Sequence, residues 1–122
     1  MRQTAKNFLT ATLSLAALLC TLMSFPAAAA DSSVIEQGKA VAIDRVKGNC
    51  LACHAMDDGT LPGNIGPPLI AMKARFPDKA KLRAQIWDPT VANPNSIMIP
   101  FGRNKVLTEE EIDQIVEYVY TL

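Results

Sequence analysis

Five consecutive residues, Cys50-Leu51-Ala52-Cys53-His54, put two thiols and an imidazole on one short stretch of chain. Two cysteines separated by two residues and followed at once by histidine have the spacing that attaches a c-type haem. The two sulfurs can form thioethers with the two vinyl groups on one porphyrin edge. The adjacent imidazole then lies under the iron and can ligate it through a ring nitrogen. Two other chemistries share part of the pattern. A thioredoxin-like redox pair would need a βαβ pattern around it, and none is visible. Half of a zinc site would need a second Cys/His pair, and the chain has only three cysteines and one histidine.

The sixth iron ligand is narrowed by elimination. With His54 the only histidine, two histidines from one chain cannot hold the iron. The methionines are Met1, Met23, Met56, Met72 and Met98. The first two fall in a segment read below as removed. Met56 is two residues from His54 and cannot easily swing to the opposite face of the ring. Met72 falls in an expected helix, where methionine ordinarily fills core space. Met98 lies in Ile97-Met98-Ile99-Pro100, within a loop that can wrap to the far side, and Pro100 restricts Ile99. Met98 is therefore the candidate distal ligand; its alternative role is an ordinary buried methionine. His/Met ligation raises the reduction potential relative to two nitrogen ligands. It also fills the iron, which disfavours oxygen and peroxide chemistry.

The elements that would position these residues are helices and loops. Val34, Gly38, Val41, Ala42 and Arg45 mark one face of a helix over 34–47, with a small residue at Gly38. Asp57-Asp58-Gly59 and Pro62-Gly63-Asn64 mark a loop. Gly66-Pro67-Pro68-Leu69 leads into a short helix over 69–75. Asp78 caps a helix from Lys79 to Trp87 that Pro89 stops. A long loop over 89–107 holds Pro94, Pro100 and Gly102, and so long a loop in a small domain usually has a functional task. Thr108 and Glu111 form a capping box, and Glu109 and Glu110 suit the positive end of the helix dipole. Ile112, Ile115, Val116 and Val119 follow at i, i+3, i+4 and i+7, an amphipathic helix to the C-terminus. No strand alternation and no internal repeat stand out. The expected class is all-α.

Arg2 and Lys6, an apolar run from Phe8 to Phe25, and Ala27-Ala28-Ala29-Ala30 read as a cleavable secretory signal over 1–30. An uncleaved anchor is the alternative, since that run could just span a bilayer. Cys20 is preceded by Leu19 rather than a small residue, so it reads as part of the signal. The expected mature domain is 31–122, with Asp31 first. The chain has 12 basic and 12 acidic side chains; without Arg2 and Lys6 the remainder is slightly acidic. No basic excess supports nucleic-acid binding. After haem attachment no free cysteine or histidine remains in the domain, and no nucleophile–base pair is visible.

These features together resemble a class I cytochrome c over the whole of 31–122. Gly38 matches the small residue at which that family's first helix crosses its last, and Tyr118 its aromatic partner. Gly66-Pro67-Pro68-Leu69 is similar to the family's G-P-x-L segment. The resemblance implies that the Pro67 carbonyl accepts the second ring N–H of the proximal histidine, fixing its orientation and basicity. Within that class, Ile86-Trp87-Asp88-Pro89, Asn93-Pro94-Asn95, Ile99-Pro100-Phe101-Gly102, the stretch 72–83 and the ending 107–122 resemble the SoxX family. These are small cytochrome subunits of sulfur-oxidising Sox systems. Ile99 departs from the pattern, where proline or a small residue is expected.

The SoxX resemblance implies a periplasmic heterodimer with SoxA, another c-type cytochrome. That complex oxidatively joins thiosulfate to a cysteine on the carrier pair SoxYZ, with the catalytic haem in SoxA. This chain's expected part is non-catalytic: it takes up the released electrons and passes them to a soluble acceptor cytochrome, with no membrane contact after signal cleavage. Two other readings remain, a free-standing monohaem electron carrier and a haem enzyme or sensor with an open iron site. Trp87 is expected to pack beside the haem rather than to bond a propionate. Lys73, Arg75, Lys79, Lys81 and Arg83 are expected to form a solvated helix face rather than a docking site.

Overall fold

Asp31 starts the first helix by accepting the Ser33 N–H at 3.0 Å, which satisfies one of the exposed donors of the first turn. The computed structural model describes residues 31–122. The expected signal segment, with Cys20, lies outside the described residues. The described residues form four helices: α1 (Ser32–Ile43), α2 (Met72–Arg75), α3 (Lys79–Trp87) and α4 (Glu109–Val119). A single 3-10 turn covers Cys50–Ala52. Among the described residues there is no strand, only an isolated parallel bridge between Met56 and Leu69. None of these helices is long and apolar enough to cross a membrane.

Helix α1 ends at Ile43, four residues before the expected Lys47. Asp44 is the reason. Its backbone is extended, and its carboxylate accepts the Val46 N–H at 2.8 Å. Aspartate competes for backbone donors in this way and ends helices. The chain then folds back, and the Gly48 N–H donates to the Val41 carbonyl at 3.2 Å. The short helix begins at Met72 rather than at Leu69, because Ala71 just before it adopts a left-handed conformation.

The other two helices run as their caps predict. Asp78 accepts the Ala80 N–H at 2.9 Å and opens α3, which stops at Trp87 where Asp88 turns extended before Pro89. The capping box of α4 is complete: Thr108 Oγ1 accepts the Glu111 N–H at 3.1 Å, and Glu111 accepts the Thr108 N–H at 3.0 Å. Helix α4 buries Ile112, Ile115, Val116, Tyr118 and Val119. It crosses α1 at Gly38, where an added Cβ would stand 2.0 Å from the Gln114 carbonyl oxygen and 3.0 Å from Tyr118 Cβ. The core gathers α4 with Ala42, Met56, Met72, Leu82, Ile86, Phe101 and Leu107.

Candidate functional site

The turn that carries the two cysteines is tied down on three sides. Asn49 enters it with φ 46°, and the His54 N–H donates back to the Cys50 carbonyl at 2.9 Å. The loop over 59–66 folds across it: the Gly63 N–H donates to the Leu51 carbonyl and the Gly66 N–H to the Cys53 carbonyl, each at 2.8 Å. At Gly63 an added Cβ would sit 1.9 Å from the Ala52 oxygen, so only glycine permits this approach.

A cleft of about 530 Å³ opens beside the turn, within the range of cofactor sites. Cys50, His54, Pro67, Met72 and Met98 all border it. Its wall is Phe76, Leu82, Ile86, Phe101, Leu107, Ile115 and Val119, contributed by α3, α4 and the loops. Cys53 lies on the same turn, partly buried, but does not border the cleft. Burial pushes the Cys50 thiol up to about 11.

The His54 ring is fixed by its neighbours. Its Nδ1 lies 2.6 Å from the Pro67 carbonyl oxygen, so an N–H at Nδ1 donates there and the neutral ring keeps Nε2 as its free lone pair. The ring lies against Gly66, where a Cβ would come within 2.3 Å of His54 Cε1. Arg75 supports the same segment by donating to the Pro68 carbonyl at 2.8 Å. Apart from His54, Arg75 is the one ionisable side chain other than a thiol on the cleft lining.

The three methionines of the domain differ in placement. Met98 is half-buried at the cleft, with its N–H donating to Ser96 Oγ at 3.3 Å. Met72 also borders the cleft but is 1% exposed, with Sδ 3.5 Å from Arg75 Nη1. Met56 is buried on the other side of the cysteine turn, beside a second hollow lined by Lys39 and Tyr118.

Two expectations need correction. Trp87 packs, but not at the cleft. It is the next residue round α3 from Ile86, about 100° away. Its indole lies on Gly102, where a Cβ would meet Cε3 at 2.1 Å, and under the Arg83 guanidinium 5.4 Å from the ring centre. The basic stretch is not simply solvated either. Lys79 pairs with Glu117 at 2.7 Å, and Arg83 with Asp113 at 2.5 Å and Glu109 at 3.0 Å. Two of its five cations thus tie α3 to α4, while Lys73, Arg75 and Lys81 are exposed as expected.

One cluster was not read from the sequence. Lys39 Nζ lies 2.7 Å from Asp57 and 2.9 Å from Asp58, joining α1 to the segment just after His54. The Tyr118 hydroxyl donates to Asp57 over a long 3.4 Å. Burial first, and then the Asp57 charge, push the Tyr118 phenol up to about 12. The Lys39 ammonium in turn holds the Asp58 carboxyl below its usual range.

The family described as cytochrome C oxidase, cbb3-type, subunit III matches residues 35–119, from α1 to the last residue of α4. The chain belongs to this cytochrome c family. It is an all-α, haem c electron-transfer protein, and the site fits that group: an apolar cleft with a thiol and an oriented imidazole at its edge. An uncharacterized lipoprotein of Aquifex aeolicus (strain VF5) is similar, 40% identical over 75 residues, or 61% of this chain. The matched stretch spans about a third of that relative (36%).

Proposed function

We propose that Cys50 and Cys53 hold one haem c through thioethers, that His54 is its proximal ligand, and that Met98 is its distal one. Bound there, haem c supplies a one-electron couple. The chain's own residues do the rest. The Pro67 carbonyl and Gly66 hold the imidazole in one orientation and tautomer. Phe76, Leu82, Phe101 and Ile115 exclude water, which lowers the cost of reorganisation when charge changes. Met98 supports a higher potential than a second nitrogen would. The single observation that carries this reading is that Cys50, His54 and Met98 border one apolar cleft.

At the finer level, the chain is the SoxX-type subunit of a periplasmic heterodimer with SoxA. It accepts the electrons released when thiosulfate is joined to a SoxYZ cysteine and passes them to an acceptor cytochrome. The support is the resemblance of the stretches 72–83, 86–102 and 107–122, together with a domain that offers no nucleophile–base pair of its own.

The test is co-purification of the haem-loaded chain with SoxA, followed by addition of SoxYZ and thiosulfate. A one-to-one complex in which this haem becomes reduced is the expected result. A haem-loaded monomer that ignores SoxA and thiosulfate overturns the heterodimer and leaves a free-standing carrier. Fractionation separates a soluble periplasmic protein from an anchored one. The lipoprotein name of the relative makes that worth measuring, although Leu19 before Cys20 disfavours lipidation.

A further inference from the structure

The loop that carries Met98 is bonded to the rest of the domain at its base. Its two ends are buried, at Pro89 and at Phe101 and Gly102, while residues 91–95 between them are exposed. Among the described residues, every hydrogen bond that residues 91–99 make stays within 88–98. The Asn93 N–H donates to the Pro89 carbonyl at 3.0 Å, the Ser96 N–H to the Asn93 carbonyl at 2.9 Å, and the Met98 N–H to Ser96 Oγ at 3.3 Å. None of these ties the stretch around Met98 to a helix.

The base is closed twice. The Trp87 carbonyl accepts both the Gly102 N–H and the Arg103 N–H, each at 3.2 Å. Beside it, one carboxylate serves both ends of the loop. Asp88 Oδ1 accepts the Thr90 N–H at 3.0 Å and the Thr90 hydroxyl at 2.5 Å. Asp88 Oδ2 accepts from Arg103 Nη1 at 3.0 Å, and the same nitrogen donates to Thr90 Oγ1 at 2.9 Å. The Thr90 contacts are local and would suit any turn after a helix. The Arg103 contact is different, because it joins chain ends 15 positions apart. The Asp88 side chain is 11% exposed, so the pair is partly withdrawn from the water that weakens surface ion pairs.

We propose that Asp88, Thr90 and Arg103 form a clasp that positions Met98, by setting how often the loop 89–102 lifts away from the cleft. The inference rests on the reading of Met98 as the distal ligand. None of the three residues lines the cleft; they act through the loop and are positioning residues. A loop with few bonds to its surroundings opens locally, without global unfolding, at a free energy set by the contacts that opening breaks. Apart from the bond to the iron and the packing of Met98 itself, those contacts are at the base. A free ligand that competes with Met98 binds only the open form, so its apparent affinity rises in proportion to the open fraction.

The experiment titrates the haem-loaded ferric chain with free imidazole, for wild type, Asp88→Ala, Arg103→Met, the double variant and Thr108→Ala. Deuterium exchange at the Gly102 amide, which bonds the Trp87 carbonyl, gives a readout that does not involve the iron. Denaturant unfolding gives the global stability. Asp88→Ala and Arg103→Met are each expected to bind imidazole about fivefold to tenfold more tightly and to exchange the Gly102 amide faster by a similar factor. The double variant is expected to go no further than Asp88→Ala alone, because the two residues share one interaction. Thr108→Ala weakens the cap of α4 and is expected to leave the imidazole affinity within about twofold. Arg103 is half-exposed, so Arg103→Met keeps the test decisive even where Asp88→Ala fails to fold. Unchanged affinity and exchange in Arg103→Met overturn the clasp and leave Met98 as the ligand. An affinity that tracks global stability in every variant, Thr108→Ala included, overturns it too and makes Asp88 a general stabiliser. A wild-type ferric spectrum that lacks the methionine charge-transfer band and is unaltered by Met98→Ala overturns the ligand reading itself, and the clasp falls with it.

Discussion

Gly38 on α1 meets the Gln114 carbonyl on α4 at backbone contact, so that a Cβ at position 38 would stand 2.0 Å from that oxygen. The neighbour is backbone rather than a flexible side-chain end, so the helices themselves must separate to admit a methyl group. Gly38→Ala is therefore expected to destabilise the haem-loaded protein by about 3 kcal/mol, the upper part of the overpacking range, despite alanine's better helix propensity. Denaturant unfolding checks this. A change within ±0.5 kcal/mol, roughly what surface substitutions give, would show that the helices do not cross this tightly.

Met98 and Met72 both border the cleft, and substitution separates their roles. Met98→Leu is expected to lower the reduction potential and to abolish the weak red charge-transfer band of a methionine-ligated ferric haem. Met72→Leu is expected to keep both, with a packing cost below about 1.5 kcal/mol. The reverse pattern would move the ligand to Met72.

Tyr118 holds its proton to unusually high pH. Its phenol titrates near 12 in the folded protein, pushed there by burial and then by Asp57, against about 10 in the unfolded chain. The folded state therefore binds more protons than the unfolded state between these values. The stability linked to Tyr118 is fully present below about pH 10 and is lost as pH rises towards 12. In a phenolate absorbance titration, wild type minus Tyr118→Phe should leave a single late step near pH 12. A step at 10 would contradict the buried phenol.

The cap of α4 gives an acid-side counterpart. Glu111 is held below its ordinary value by Lys47 and then by the Thr108 N–H. Its contribution is present above the unfolded carboxyl range and lost as pH falls through the lowered folded value. Thr108→Ala should cost about 1 kcal/mol. Glu111→Gln should flatten the fall in melting temperature between neutral pH and pH 3. If Glu111→Gln retains the wild-type slope, another carboxylate controls the acid limb.

Much of this arrangement is legible from residue order where the signals are local. Asp78 and the Thr108–Glu111 pair announce α3 and α4 because a cap works within one turn. The spacing of Cys50, Cys53 and His54 points to covalent haem, and the match to a cytochrome c family agrees with that at the level of the family. Asp44 was less readable, since its capture of the Val46 N–H competes with a helix pattern that continues to Arg45. The Lys39–Asp57–Asp58 clamp was not readable. It joins residues far apart in sequence and requires Asp57 to take a left-handed φ of 45°, an unusual state for aspartate. Trp87 was misplaced by one helical step, because α3 is too short and too evenly polar for its periodicity to say which face turns inward.

The half-buried setting of Cys50 bears on when the proposed haem would be attached. A thiol whose ionisation lies near 11 is almost wholly protonated at neutral pH and so is a slow nucleophile. On the proposed attachment, folding therefore slows the sulfur that would react. Covalent loading is favoured while the chain is still open, and conditions that hasten collapse, such as stabilising co-solutes, are expected to lower its yield. The tight fold that serves the finished protein is an obstacle to making it.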